Sequence, residues 1–187
     1  MRALLTLSIL GLVLCACSAT GDTADEKRAH IAKMEEEALI ALYAVKPATR
    51  EEIKNAAGYG VFSNVGAQVL FVGGGGGFGA VTDNATGEKT YMKMGQATVG
   101  MGLGGKDFRA IFVFNDQLTM KKFVHEGWEF GGSAEAAAKS EDKGGEAGEA
   151  GSFKEAIEVY QLTETGAIAS ATVGGTKYWK DDELNRK

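Results

Sequence analysis

Hydrophobic and polar positions fall into three successive textures along the chain. Ala3 to Leu14 is an apolar run interrupted only by Thr6 and Ser8, and Ser18 to Asp25 is small and polar. From Glu26 to Val45, the apolar positions Ile31, Met34, Ala38, Leu42 and Val45 recur at steps of three and four, which predicts a helix with one buried stripe. Leu39 and Tyr43 widen that stripe. Pro47 ends the helix, and Thr49-Arg50-Glu51-Glu52 has the form of a capping box opening a short second helix to Ala57, with Gly58 as its stop.

The period then changes from helical to alternating. Tyr59 to Phe62, Ala67 to Val72 and the glycine run through Val81 predict short strands. Asp83-Asn84-Ala85-Thr86-Gly87 predicts a turn, and Glu88 to Gly95 returns as the partner strand of a hairpin. Gln96 to Leu103 continues as strand, and Phe108, Ala110, Phe112 and Phe114 share one face that reads as core. Asp116 to His125 predicts a short helix. Phe153 to Leu162 with Gly166 to Val173 predicts a second hairpin, and Lys177 to Trp179 a last strand. Helices followed by about six strands predict an α+β fold with a glycine-rich, strongly curved, mainly antiparallel and barrel-like sheet. Residues 133–152 are an Ala/Gly/Glu excursion without core residues.

Composition sharpens this picture in two ways. Of 187 residues, 27 are glycine and one is proline, and no G-x-y period exists, which excludes collagen. Twenty Lys and Arg against 25 Asp and Glu give a net charge of −5, which argues against a nucleic-acid partner.

The amino-terminal run is too short to span a membrane but has the length of a signal-peptide core behind Arg2. Leu14-Cys15-Ala16-Cys17 resembles the bacterial lipobox, with Leu14 at −3, Ala16 at −1 and Cys17 as the lipidated residue. The competing reading is an ordinary secretory signal cleaved near Ala16 or Ala19. With residues 1–16 as signal peptide, residues 17–25 read as a lipidated tether and 26–187 as the folded domain. Cys17 is then the only cysteine, so disulfide and thiol chemistry are not expected. Ser18 after the cysteine resembles the outer-membrane sorting pattern, which implies a periplasm-facing lipoprotein of a Gram-negative envelope.

Catalytic motifs are sparse. Gly74-x-Gly76-x-x-Gly79 and Gly100-x-Gly102-x-x-Gly105 satisfy a dinucleotide pattern, but neither opens a helix within a βαβ unit. Gly100 to Lys106 begins like a P-loop, yet Asp107 stands where a Ser or Thr hydroxyl is required. His125-Glu126-Gly127-Trp128-Glu129 begins like HExxH and ends on Glu. We therefore expect no enzyme, no cofactor and no metal, with the glycines serving close backbone approach in a curved sheet.

Ala56-Ala57-Gly58-Tyr59-Gly60-Val61-Phe62-Ser63-Asn64-Val65 resembles the opening motif of the SYLF-domain family. The resemblance continues through Val72 to Val81, Gly100 to Asp107 and Ala110 to Asn115. It closes with Gly166 to Lys177 and then Asp181-Asp182-Glu183-Leu184-Asn185, spanning roughly residues 30–187. It implies lipid binding with an amphipathic amino-terminal helix, and in some yeast members actin binding. Two departures stand out: the excursion after Phe130-Gly131 replaces a small-Gly-Pro segment, and Glu35-Glu36-Glu37 make the first helix acidic. That helix either lies on a membrane or packs on its own domain. Lys106, Arg109, Lys121 and Lys122 are candidates to meet a lipid headgroup phosphate, against the alternative of solvated surface charges. The expected partners are membrane phospholipids and the covalent lipid at Cys17, with an envelope protein as the alternative partner.

Overall fold

The computed structural model describes residues 19–130, 156–163, 168–170 and 176–186. Helix α1 (Ala24–Val45) begins two residues before the helical period does in the sequence, because Thr23 caps it. The Thr23 hydroxyl accepts from the Glu26 amide (3.2 Å), and the Glu26 carboxylate accepts from the Thr23 amide (3.1 Å), a reciprocal capping box. The expected box at Thr49 does not form. Helix α2 (Thr49–Asn55) has Ala48 at its N-cap, and the buried Thr49 hydroxyl donates instead to the Lys46 carbonyl (2.7 Å). Gly58 is likewise not a helix stop; it opens the first strand.

The expected series of short strands is two long ones. Strands β1 (Gly58–Asp83) and β2 (Lys89–Phe114) pair antiparallel from Thr82↔Lys89 at the tip to Gly58↔Phe114 at the root, with one irregularity between Leu70 and Val72. The turn between them forms as expected. Gly87 takes φ 73°, and the Asp83 carboxylate accepts from the Ala85 amide (2.8 Å). A straight ribbon of that length would run about 85 Å. This one doubles back, so that its tip half crosses its root half. A Cβ on Gly77 would collide with the Ser63 carbonyl oxygen, and one on Gly79 with that of Val61. The tip also reaches the root chain directly: the Asn84 amide donates to the Ala57 carbonyl (3.1 Å), and Asn84 Nδ2 to that of Ile53 (2.7 Å).

Helix α3 (Gln117–Glu126) follows, capped by Asp116, whose carboxylate accepts from the Thr119 amide (2.8 Å). The remaining strands are β3 (Trp128–Phe130), β4 (Ile157–Thr163), β5 (Ile168–Ser170) and β6 (Thr176–Lys180). The sheet order is β3-β6-β2-β4-β5, with β1 on the other edge of β2, and every pairing is antiparallel. The fold is therefore α+β, with six strands among the described residues. Among the described residues the sheet does not close into a barrel, and its curvature instead brings the two halves of the ribbon against each other. The pairing of β4 with β5 gives the expected second hairpin where it is described. The excursion at 133–152 lies outside the described residues, as do the signal segment and Cys17.

Alternation along the ribbon divides the interior into two cores. One gathers Ile31, Met34, Ala38 and Leu42 of α1 against Val61, Phe78, Ile111 and Val113. Four of the five stripe positions are thus buried, and α1 packs on its own domain; Val45 is exposed. The other core gathers Phe62, Phe112, Phe123 and Tyr178, with ring centroids 4.8–6.1 Å apart. Phe108, Ala110, Phe112 and Phe114 all face it, as their alternation predicts. Each aromatic pair adds about 0.5–1.5 kcal/mol beyond area burial.

Candidate functional site

Helix α1 buries one charge among its apolar positions. Glu35 is 3% exposed and lies between the buried Met34 and Ala38. Its carboxylate pairs with Lys89 of β2 and accepts from the Thr82 hydroxyl (3.1 Å). Burial alone would lower the Lys89 pKa, but the hydrogen bond and charge of Glu35 outweigh it and hold the ammonium above its ordinary value. Burial first, and then the negative charge of Glu35, raise the pKa of nearby Tyr59. A charge at a stripe position was the available sequence signal, hidden by the acidic run Glu35-Glu36-Glu37.

A second polar cluster joins α2 to β4. The hydroxyl of Tyr160 lies 2.8 and 2.9 Å from the two Glu52 oxygens and 2.7 Å from Glu158 Oε2, and it accepts from Lys46 Nζ (2.9 Å). One phenolic proton cannot serve both carboxylates at once. Desolvation raises the Glu52 pKa, while the Tyr160 hydrogen bond lowers that of Glu158. Burial, followed by the two carboxylates, raises the phenol itself. The cluster clasps the α1–α2 elbow to the sheet; in the sequence Glu52 stood out only as a capping-box residue, and Glu158 not at all.

Of the four headgroup candidates, the three with described side chains, Arg109, Lys121 and Lys122, do not lie on one face. The backbone of Lys106 pairs opposite Gly66, and its side chain lies outside the described residues. Arg109 Nη1 donates to the Ser63 hydroxyl (2.8 Å). By alternation Arg109 shares the face of Ile111 and Val113, which pack toward α1. Lys121 and Lys122 lie on α3, whose Met120, Phe123 and Val124 fill the opposite core. The ribbon therefore separates Arg109 from both helix lysines.

The amino-terminal end of α1 shares a surface with the carboxyl-terminal turn. Arg28 Nε donates to the Leu184 carbonyl (3.0 Å) and Nη2 to that of Arg186 (3.0 Å), while Lys27 pairs with Glu183 (2.8 Å). Asn185 acts as a surrogate strand residue: its Oδ1 accepts from the Tyr91 amide (3.0 Å), and its Nδ2 donates to the Tyr91 carbonyl (2.7 Å). Ala19 is buried in the α1 core, and the Thr20 amide donates to His30 Nδ1 (3.1 Å). His30 lies over Phe78, with centroids 5.2 Å apart. Phe78, Lys93 and Trp179 stand side by side on β1, β2 and β6. Trp179 is 41% exposed, its ring over Gly95, and Lys93 pairs with Asp181 (3.2 Å).

Both glycine motifs lie within strands, not at helix N-termini. His125 Nδ1 lies 3.1 Å from Lys180 Nζ. Among the described residues, no group of three His, Cys, Asp or Glu side chains is placed to hold a metal. Among the same residues, no helix is long and apolar enough to cross a membrane.

These features define an α+β domain built on a self-crossing, glycine-rich β-ribbon flanked by helices. Residues 95–187 match the family model described as Ysc84, Las17-binding protein actin regulator. Beta cell expansion factor A of Aeromonas veronii is 32% identical over 162 residues, covering 87% of this chain and 60% of that protein. The chain belongs to the Ysc84/SYLF family. It spans about three-fifths of the length of the curated relative it matches.

Proposed function

We propose that this chain is a non-enzymatic lipoprotein of the Gram-negative envelope, anchored through Cys17 to the outer membrane and facing the periplasm, whose domain binds membrane phospholipid. The observation that carries this reading is the lipobox-like Leu14-Cys15-Ala16-Cys17 directly ahead of a Ysc84/SYLF domain. A lipidated amino-terminal cysteine carries more than one acyl chain, and two chains suffice for stable attachment. The actin regulation in the family description belongs to the proteins that gave it that description; for an envelope protein the shared chemistry is lipid contact.

Two experiments test the parts separately. Cys17→Ala should abolish fatty-acid labelling and release the protein from the membrane fraction; persistent labelling would remove the anchor. Protein lacking residues 1–17 should float with vesicles of phosphatidylethanolamine and phosphatidylglycerol. If it stays at background with every envelope phospholipid, recognition fails. The second reading then stands, an interaction lipoprotein held by its anchor alone. The net charge of −5 and the acidic α1 favour that second reading over attraction to anionic lipid.

A further inference from the structure

The stretch between the anchor cysteine and the domain has almost no slack. Ala19 is buried in the core, and Thr20 is tied to His30 by its amide. Thr23 is locked into the cap of α1. From Cys17 to Thr20 an extended chain spans at most about 11 Å. A lipid on Cys17 therefore holds the domain against the bilayer by the surface around His30, and the domain cannot turn freely on its anchor.

What lies on that surface follows from the strand register. His30 covers Phe78, and the row continues through Lys93 to Trp179. Adjacent strands are about 4.8 Å apart, so Trp179 lies roughly 10 Å from Phe78 along the row. Trp179 is a large apolar side chain left exposed on this side of the sheet, seated on Gly95 with the exposed Lys177 two residues before it on β6. An indole with a neighbouring ammonium matches the membrane–water boundary, where the ring is half-buried and the cation meets phosphate. Lys93 is already paired with Asp181, and Lys27 with Glu183, so the match rests on Trp179 more than on net positive charge.

We propose that the face of β6 bearing Trp179 and Lys177 is the bilayer-contacting surface of this lipoprotein, set against phospholipid by the short link from Cys17. This rests on the lipid anchor proposed above. Helix α3, packed in the opposite core, then points away from the membrane, and its exposed Lys121 provides the control position.

The test uses full-length lipidated protein with Lys177→Cys or Lys121→Cys, each labelled with an environment-sensitive fluorophore. Each is reconstituted into phosphatidylethanolamine and phosphatidylglycerol vesicles and recovered by flotation. At 177 the emission should rise at least threefold and shift to the blue, with quenching by brominated lipid; at 121 it should match the protein in detergent-free buffer. Flotation with equal signals at the two positions, or a larger rise at 121, overturns the orientation and leaves the anchor standing. No flotation overturns the anchor reading and this proposal with it. Trp179→Ser with the label at 177 is the second variant: it should float as before but lose most of the emission rise. An unchanged rise would overturn the role of the indole.

Discussion

Two side chains set the local energetics, and each makes a measurable difference. Glu35 is a charge inside an apolar stripe, tolerable because Lys89 and Thr82 satisfy it. Glu35→Ala removes the partner of Lys89, whose side chain is about a third exposed and can partly return to water. The expected loss is about 2 kcal/mol of unfolding free energy, read from urea denaturation. Tyr160 stands between Glu52 and Glu158, and the signs there differ. The raised Glu52 contributes stability at acidic pH that fades as pH climbs beyond its ordinary value of 4.5 through the raised one. The lowered Glu158 contributes stability above 4.5 that is lost as pH falls. Tyr160→Phe removes the group that lowers Glu158 and also lowers Glu52. The variant should therefore lose about 2 kcal/mol at pH 7 and clearly less at pH 4.5, measured by urea unfolding at both. An equal loss at both values would show that packing, not the hydroxyl, carries the contribution.

At the scale of elements, the glycines separate into two kinds. Gly79 sits where β1 crosses itself, and any Cβ meets the Val61 carbonyl and the Phe62 backbone. Gly79→Ala should cost about 3 kcal/mol, since neither side of that contact can move aside. At Gly87 nothing lies within 4 Å, and only its φ of 73° opposes a side chain, so Gly87→Ala should cost about 1 kcal/mol. Calorimetric melting of the two variants checks the ranking. The same contrast explains what was legible beforehand. The stripe of α1 and the face of Phe108, Ala110, Phe112 and Phe114 were readable because periodicity is a local property. The continuity of β1 was not, because glycine marks both strand breaks and tight crossings, and only the distant chain segment distinguishes them. Thr49 had the same cap chemistry as Thr23, but its hydroxyl is turned to Lys46 while Glu52 is engaged by Tyr160. Of the candidate site, the lysines and Arg109 were visible as residues, yet their separation by the ribbon depended on the register of β2.

For the whole molecule, the doubled-back ribbon imposes an order on events in time. Pairs at the tip, such as Thr82↔Lys89, join near neighbours, whereas Gly58↔Phe114 closes across the entire hairpin. Loop-closure entropy favours the former first, so pairing should propagate from the turn toward the root. Stopped-flow refolding should show Asp83→Ala, which removes the turn bonds to the Ala85 and Thr86 amides, slowing folding, with Asn84→Ala and Ile111→Val chiefly accelerating unfolding. The crossing cannot be made until both halves exist, because Gly77 and Gly79 need Ser63 and Val61 already in strand geometry. Both cores draw on both halves of the ribbon, so neither is complete before that moment. The chain thus keeps its aromatic interior open to solvent until the last step. During that interval it depends on being shielded from its own copies, and thereafter Asn84, bound to the backbone of Ile53 and Ala57, holds the closure shut.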